Sequence, residues 1–527
     1  MISPELAAAA AQSKAAYDAG RADGYDHMIL ALAQQAQGNL DSAEELFRKA
    51  MAFGPDDPSV LAGRAKFLRE TGRLSEAVAT CDRAITLAPQ YADAWIERGA
   101  ILSAGGSNRE ARASYARAIA LAPDAVPAHA GIASLAAREG DGETARTHAG
   151  IALSIDPGNA VAAAALATVE LESGEPARAA ALLEPIVAAR LQPDFERSLA
   201  AGLLGDARHR LGDHAGAYEA YRLSKADFAA IHAPAAKGRM RHFEFIEAIH
   251  TGLSAMDLAQ EKAIRPAPVP GEAERHIFLI GYPRSGTTLM ENVLASLPGV
   301  EALEERPTLS EADRALLSGD AGEIAATLAR FATVGEEQLN VWRTAYWAKV
   351  VQSGITPGTR AFVDMDPLKG TRLPLIARLF PEARIVIMRR DPRDVVWSCF
   401  RTQFAMTSGT LDFTTLQDTA RHYDALMRLT EHSLQRLPLT TFEVHYHRLV
   451  RDFEPTTRAL CQFLGLEWDD AVLQFDRTAR QRGVATASVG QVRRGLYDGT
   501  RQWEPYAQWL EPVMPVLQPW VEKFGYA

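Results

Sequence analysis

A chain of 527 residues is too long for one ordinary domain and long enough for two to four. Its 66 acidic and 56 basic residues leave a net charge of −10, which argues against a protein that coats nucleic acid or an anionic membrane. Cys81, Cys399 and Cys461 lie too far apart in sequence for a disulfide framework or a metal-ligand motif, so a reducing cytoplasm is the expected setting.

The N-terminal stretch "MISPELAAAAAQSKAAYDAG" has no basic start and carries Glu5 and Asp18, so it reads as a helix and not as a signal peptide. No apolar run approaches the ~18 residues that a membrane span needs. Four residue series then recur at a constant step of 34: Pro55, Pro89, Pro123, Pro157; Gly38, Gly72, Gly106, Gly140, Gly174; Ala43, Ala77, Ala111, Ala145, Ala179; and Ala50, Ala84, Ala118, Ala152. Each position has a physical reading. Glycine suits a turn that needs a left-handed residue. Alanine suits a close helix crossing, and proline cannot continue the helix it follows. Gly212 and Ala217 repeat the glycine-to-alanine step after a short insertion. A 34-residue period with these positions resembles the tetratricopeptide repeat. The array is expected to hold five to six stacked units within residues 1–230, with a concave face able to take a protein or peptide partner.

Residues 231–275 read as a bridging amphipathic helix, "MRHFEFIEAIHTGLSAMDLAQ", and a proline-stiffened linker, "IRPAPVPGEAER". From 276 to 527 the pattern changes. "HIFLIG" (276–281), "AFVDM" (361–365), "RIVIM" (384–388) and "FEVHY" (442–446) read as buried strands. Helical patterns follow at Thr288–Ser296, Arg372–Phe380, Asp394–Phe404 and Leu449–Leu464. Alternation of this kind predicts an α/β domain with a parallel sheet. Its ligands should gather at the carboxyl ends of the strands. Just past those ends lie "YPRSGTT", "DPLKG" and "RRDPRDVVWS".

"PRSGTT" is a strand-to-helix turn like a phosphate-binding loop, but it lacks the Gly-Lys-Ser/Thr ending of ATP and GTP sites. Gly286 lets the backbone approach a ligand. The amides of Ser285, Gly286, Thr287 and Thr288 open a helix, where N–H groups and the dipole favour an anion. Thr287 and Thr288 add hydroxyls.

"PRSGTTL", the following "EALEERP" and the later "RRDPRDVVWS" together resemble the sulfotransferases that use 3′-phosphoadenosine 5′-phosphosulfate (PAPS). The resemblance points most strongly to tyrosylprotein sulfotransferases and to bacterial proteins that fuse tetratricopeptide repeats to such a domain. It implies a PAPS sulfotransferase fold, with the P-loop-like turn holding the 5′-phosphosulfate. Arg284 would face the oxygens between phosphorus and sulfur. A protein cation there would do what magnesium does in ATP chemistry, with no metal required.

Further residues follow from the same resemblance. Arg390 and Ser398 would hold the 3′-phosphate, with Arg393 and Arg401 as additional cations. Glu305 would be the general base, with Glu304 one register step away. Tyr446, Ser488 and Arg501 would assist nucleotide binding. One departure stands out: Met365 occupies the place where the family usually has a lysine, and Lys369 is the nearest substitute. Acceptors left open are a peptide tyrosine, recruited by the repeats, a carbohydrate or a small phenol. A second reading also stays open: a non-catalytic repeat scaffold whose sulfotransferase-like domain binds the nucleotide.

Overall fold

The computed structural model describes residues 4–258, 267–355, 358, 361–482 and 495–527. The chain divides after Asp227 into two compact units.

In the first unit, helix Pro4–Asp18 is followed by six antiparallel helix pairs, from Gly24–Ala36 with Leu40–Phe53 to Phe195–Arg210 with His214–Ala236, whose last turns run past the division. The glycines at the 34-residue step all sit in the turns inside a pair, at φ between +79° and +81°, and Gly212 shares the value. A Cβ on any of them would meet nothing within 4 Å. Backbone conformation, not space, therefore selects glycine there. The alanines answer to space. Ala43, Ala77, Ala111, Ala145, Ala179 and Ala217 are fully buried, as are Ala50, Ala84, Ala118 and Ala152. The repeat prolines come two residues after the helices ending at Phe53, Leu87, Leu121 and Ile155. This is the tetratricopeptide superhelix that the periodicity predicts.

In the second unit, helix His242–Ala255 packs on helices Ala321–Ala329 and Leu416–Arg436. Five parallel strands form one sheet: β1 Arg275–Ile280, β2 Val300–Glu304, β3 Ala361–Met365, β4 Arg384–Arg389 and β5 Thr440–His445. The order is β2-β3-β1-β4-β5, so β1 is central, with β3 on one side and β4 on the other. That reversal of direction at β1 makes the crevice beyond its carboxyl end the topological switch point.

Two expectations need correction. The sequence suggests four strands in this domain, and β2 was missed. It is a five-residue edge strand, "VEALE", with Glu301 and Glu304 only partly buried. Neither alternation nor an apolar run marks it. The helix expected over Leu449–Leu464 is two, Tyr446–Arg451 and Phe453–Leu464, broken where Asp452 leaves helical geometry at ψ 57°.

Candidate active site

β1 ends at Ile280, and the chain turns through Gly281–Ser285 into helix Thr287–Ala295. The Ser285 amide donates to the Tyr282 carbonyl at 3.0 Å and closes the turn. That amide is spent inside the loop, unlike the anion-binding role expected for it, and the Ser285 hydroxyl accepts from the Tyr282 amide at 3.3 Å. The helix opens at Gly286, φ +105°, without a side-chain cap. Its first N–H groups lack intrahelical partners, which leaves a local positive end. Thr287 and Thr288 are buried in that first turn.

Gly286 is under a double constraint. Its φ disfavours any side chain, and an added Cβ would lie 2.8 Å from Cδ2 of Tyr446. Gly286→Ala is therefore expected to destabilise the fold by roughly 1–3 kcal/mol and to weaken anion binding. Denaturant titration checks the first effect, and an unchanged midpoint would mean the loop relaxes freely.

Beyond β4, Arg390 is held in place by three contacts. Its Nη1 donates to the Arg284 carbonyl at 2.7 Å, its Nη2 to the Gly499 carbonyl at 2.5 Å, and its guanidinium stacks 4.8 Å from the Tyr446 ring centre. Among the described residues its Nε is buried without a hydrogen-bond partner. Arg284 Nε donates to Ser398 Oγ at 3.0 Å. Arg284, Gly286, Arg390, Ser398 and Tyr446 thus form one connected cluster, although 162 positions separate its ends in sequence. Burial, and then the neighbouring guanidinium groups of Arg390 and Arg401, lower the Arg284 pKa to about 10. A site that disfavours its own positive charge will favour a bound polyanion.

Other singled-out cations have local duties. Arg393 bonds Asp391 at 2.8 Å and the Tyr526 carbonyl at 2.6 Å, and stacks on Trp503. Arg401 Nη2 donates to Gln502 Oε1 at 2.8 Å. The Arg501 amide donates to buried Asp394 at 2.8 Å, while its exposed guanidinium pairs with Glu504. Arg501 lines, with Arg390, Arg451 and Tyr446, a cavity of about 440 Å³. Ser488 lies outside the described residues.

Glu305 follows β2 directly. Its amide donates to the Met365 carbonyl at 2.7 Å, which continues the β2–β3 ladder one residue past Glu304. Glu305 is exposed and sits at φ +45°. Partial burial, then the carboxylates of Asp366, Glu304 and Glu291, raise its pKa to about 7, with Lys369 opposing. Solvent screens part of each effect. Among the described residues only Arg284, Glu305 and Arg501 are non-glycine residues with positive φ. Such backbone strain persists where the surroundings impose it, and it clusters at functional sites.

Lys369 is not a free substitute for the missing lysine. It is buried in an ion pair with Asp364, and its Nζ also donates to Thr308 at 3.2 Å. Asp364 further accepts from Thr308 and Tyr346, each at 2.8 Å. Met365 is fully buried, in register with Leu279 and Glu304.

The sequence reading missed Glu291. It projects from the loop helix, is fully buried, and pairs with Arg482 at 2.9 Å. Burial is the main reason its pKa rises to about 7. A lone carboxylate in the apolar run "TLMENVL" was the available signal. Among the described residues no group of three or more His, Cys, Asp or Glu is placed to hold a metal ion, and no helix is long and apolar enough to cross a membrane.

Residues 276–470 match the sulfotransferase family, and residues 34–98 and 97–160 each match the tetratricopeptide repeat. An uncharacterized protein of Aquifex aeolicus (strain VF5) is 31% identical over 254 residues, which is 47% of this chain and 32% of that protein. Protein-tyrosine sulfotransferase 1 of Danio rerio is 26% identical over 261 residues, 47% of this chain and 72% of that protein. This chain thus matches only about a third of the length of the Aquifex relative. A tetratricopeptide protein of Thermus thermophilus is similar to 34% of this chain and 98% of its own, at 20% identity and a TM-score of 0.32.

Proposed function

We propose that this chain, which joins tetratricopeptide repeats to a sulfotransferase domain, moves a sulfuryl group from PAPS to a hydroxyl acceptor, and that the acceptor is a peptide tyrosine recruited by the repeats. The observation that carries the reading is the convergence at the sheet edge. The carboxyl ends of four of the five strands lead into a residue singled out in the sequence for the chemistry: Arg284 after β1, Glu305 after β2, Arg390 after β4 and Tyr446 after β5.

The residues present fit the donor. The helix start at Gly286, the crowded guanidinium of Arg284 and the buried Nε of Arg390, which has no hydrogen-bond partner among the described residues, all favour an anion with more than one charged group. When bound, PAPS supplies a sulfuryl group activated as a mixed anhydride with phosphate. Arg284 provides positive charge where the leaving oxygens become more negative. Glu305 accepts the proton of the acceptor hydroxyl. A tyrosine hydroxyl ordinarily ionises near pH 10, so a carboxylate with pKa about 7 is a better-matched base than an ordinary one. Arg390 and Ser398 hold the 3′-phosphate and set the register of the nucleotide.

The test is a labelled-donor assay paired with calorimetry. Transfer of label from PAPS to a tyrosine peptide is expected, with none from ATP. Adenosine 3′,5′-bisphosphate should bind more tightly than AMP by roughly 1.5–3 kcal/mol, the worth of one charge-assisted contact, or about 10- to 150-fold. Equal affinities would remove the 3′-phosphate assignment of Arg390. Tight binding without transfer to any hydroxyl would favour the scaffold reading.

A further inference from the structure

Tyr282, the residue before the Pro283–Arg284 corner, is buried, and its hydroxyl enters a chain of hydrogen bonds. Its hydroxyl lies 2.8 Å from Nδ1 of His422, and Nε2 of His422 lies 2.7 Å from Nδ1 of His242. His422 sits on helix Leu416–Arg436, and His242 is the first residue of helix His242–Ala255. All three side chains are buried, and the tyrosine ring packs on Tyr423, Phe413 and the His422 ring.

We propose that Tyr282 is a positioning residue for the anion-binding loop, and that His422 and His242 anchor it, which makes helix His242–Ala255 part of the transfer machinery instead of a spacer. The proposal rests on the sulfotransferase reading for its ligand, but its geometry stands without one.

Arg284 is held at φ +70°, a conformation a bulky residue adopts only when its neighbours enforce it. The enforcing contacts are visible. The Pro283 carbonyl accepts from Cys399 Sγ at 3.3 Å, and the Arg284 carbonyl accepts from Arg390 at 2.7 Å. The Gly281 amide donates to the Pro367 carbonyl at 3.3 Å. These fix the backbone on one side. On the other, Tyr282 is the loop's buried side-chain anchor. Its hydroxyl has one partner among the described residues, His422.

Proton accounting makes the chain directional. If the tyrosine donates, His422 carries its proton on Nε2 and passes a hydrogen bond on to His242. Both imidazoles are then neutral. Burial holds both below the ordinary histidine range, His242 at about 3. The start of the helix is itself pinned, because buried Asp412 bonds Arg241 and accepts from the Phe243 amide at 2.9 Å. A shift of helix His242–Ala255 would therefore pull on Tyr282 and, through Pro283, on Arg284.

The test uses the full chain and the variants Tyr282→Phe, His242→Leu and His242→Gln. The first readout is amide hydrogen exchange of residues 284–288 in the unliganded protein. The second is calorimetric affinity for adenosine 3′,5′-bisphosphate, with thermal unfolding as a check on folding. Tyr282→Phe and His242→Leu are expected to speed exchange in the loop by about tenfold, with β1 and β4 amides unchanged. Nucleotide binding should weaken by about the same factor. His242→Gln keeps an acceptor for His422 and should recover most of both losses. Loop amides that exchange as in the parent protein in both disruptive variants overturn the proposal, as does a loss of protection spread evenly over the sheet. If the loop responds as expected while the parent protein fails to bind the nucleotide, the anchor stands and the nucleotide reading falls.

Discussion

Glu305→Gln is expected to lower sulfuryl transfer by about 10²–10⁴ while leaving nucleotide affinity nearly unchanged. That corresponds to roughly 3–5 kcal/mol of barrier. The substitution keeps size and polarity but removes the ability to take a proton. Glu305 follows β2, on the far side of β3 and β1 from Arg390 and Ser398 after β4, so their contacts should survive. The pH profile offers a second signature. With its pKa raised to about 7, Glu305 is protonated below that pH and cannot act as base. The parent rate should fall about tenfold per pH unit below 7 and level off above it, and Glu305→Gln should lose this limb. Glu304→Gln, one register step away, should cost far less. Full turnover by Glu305→Gln rules the residue out as base. If the Glu304 variant is the crippled one, that carboxylate holds the role. Loss of nucleotide binding along with turnover would make Glu305 a structural residue.

Arg284→Gly should separate function from stability. Losing one cation aimed at developing negative charge typically costs about 10²–10³ in rate. The fold should not suffer. Glycine adopts φ +70° freely, which relieves about 1–2 kcal/mol of strain. It gives back roughly 0.5–1 kcal/mol through greater freedom of the unfolded chain. Removing a guanidinium that Arg390 and Arg401 crowd helps, while losing its bond to Ser398 and the packing of its side chain costs about 1 kcal/mol or more. The opposing contributions nearly offset, so the melting temperature is expected to stay close to that of the parent while turnover collapses, the trade-off expected where strain is kept for function. Arg284→Lys keeps charge and strain but lacks the planar fork, so it should be slow with an unaltered melting temperature. A glycine variant that melts several degrees lower would show that Arg284 holds the fold together. One that retains turnover would remove it from the chemistry.

Much of the architecture was legible in sequence because it rests on local rules. A residue needed at φ near +80° must be glycine, and one at a helix crossing must be small. Repetition at 34 residues therefore wrote the superhelix into Gly38, Ala43 and their successors. "PRSGTT" was legible for the same reason, since Gly286 is required by its own backbone and by the ring of Tyr446. Arg284, Glu305 and Arg501 were singled out by the family resemblance, and the structure adds that all three have positive φ.

The rest is decided by contacts between distant segments, which leave no local trace. β2 has no strand signature of its own and forms because β3 offers it a ladder. The Glu305 pKa depends on burial and then on carboxylates such as Asp366 and Glu291, which only the fold brings near. Lys369 is taken out of consideration as a stand-in for the missing lysine by Asp364, five residues earlier on β3, inside a network completed by Thr308 and Tyr346. Tyr282, His422 and His242 come from three separate elements, and tertiary packing alone makes them neighbours. Backbone conformation is selected residue by residue and can be read in one dimension. Electrostatics and hydrogen-bond partnership depend on distance in space, and only the folded chain sets those distances.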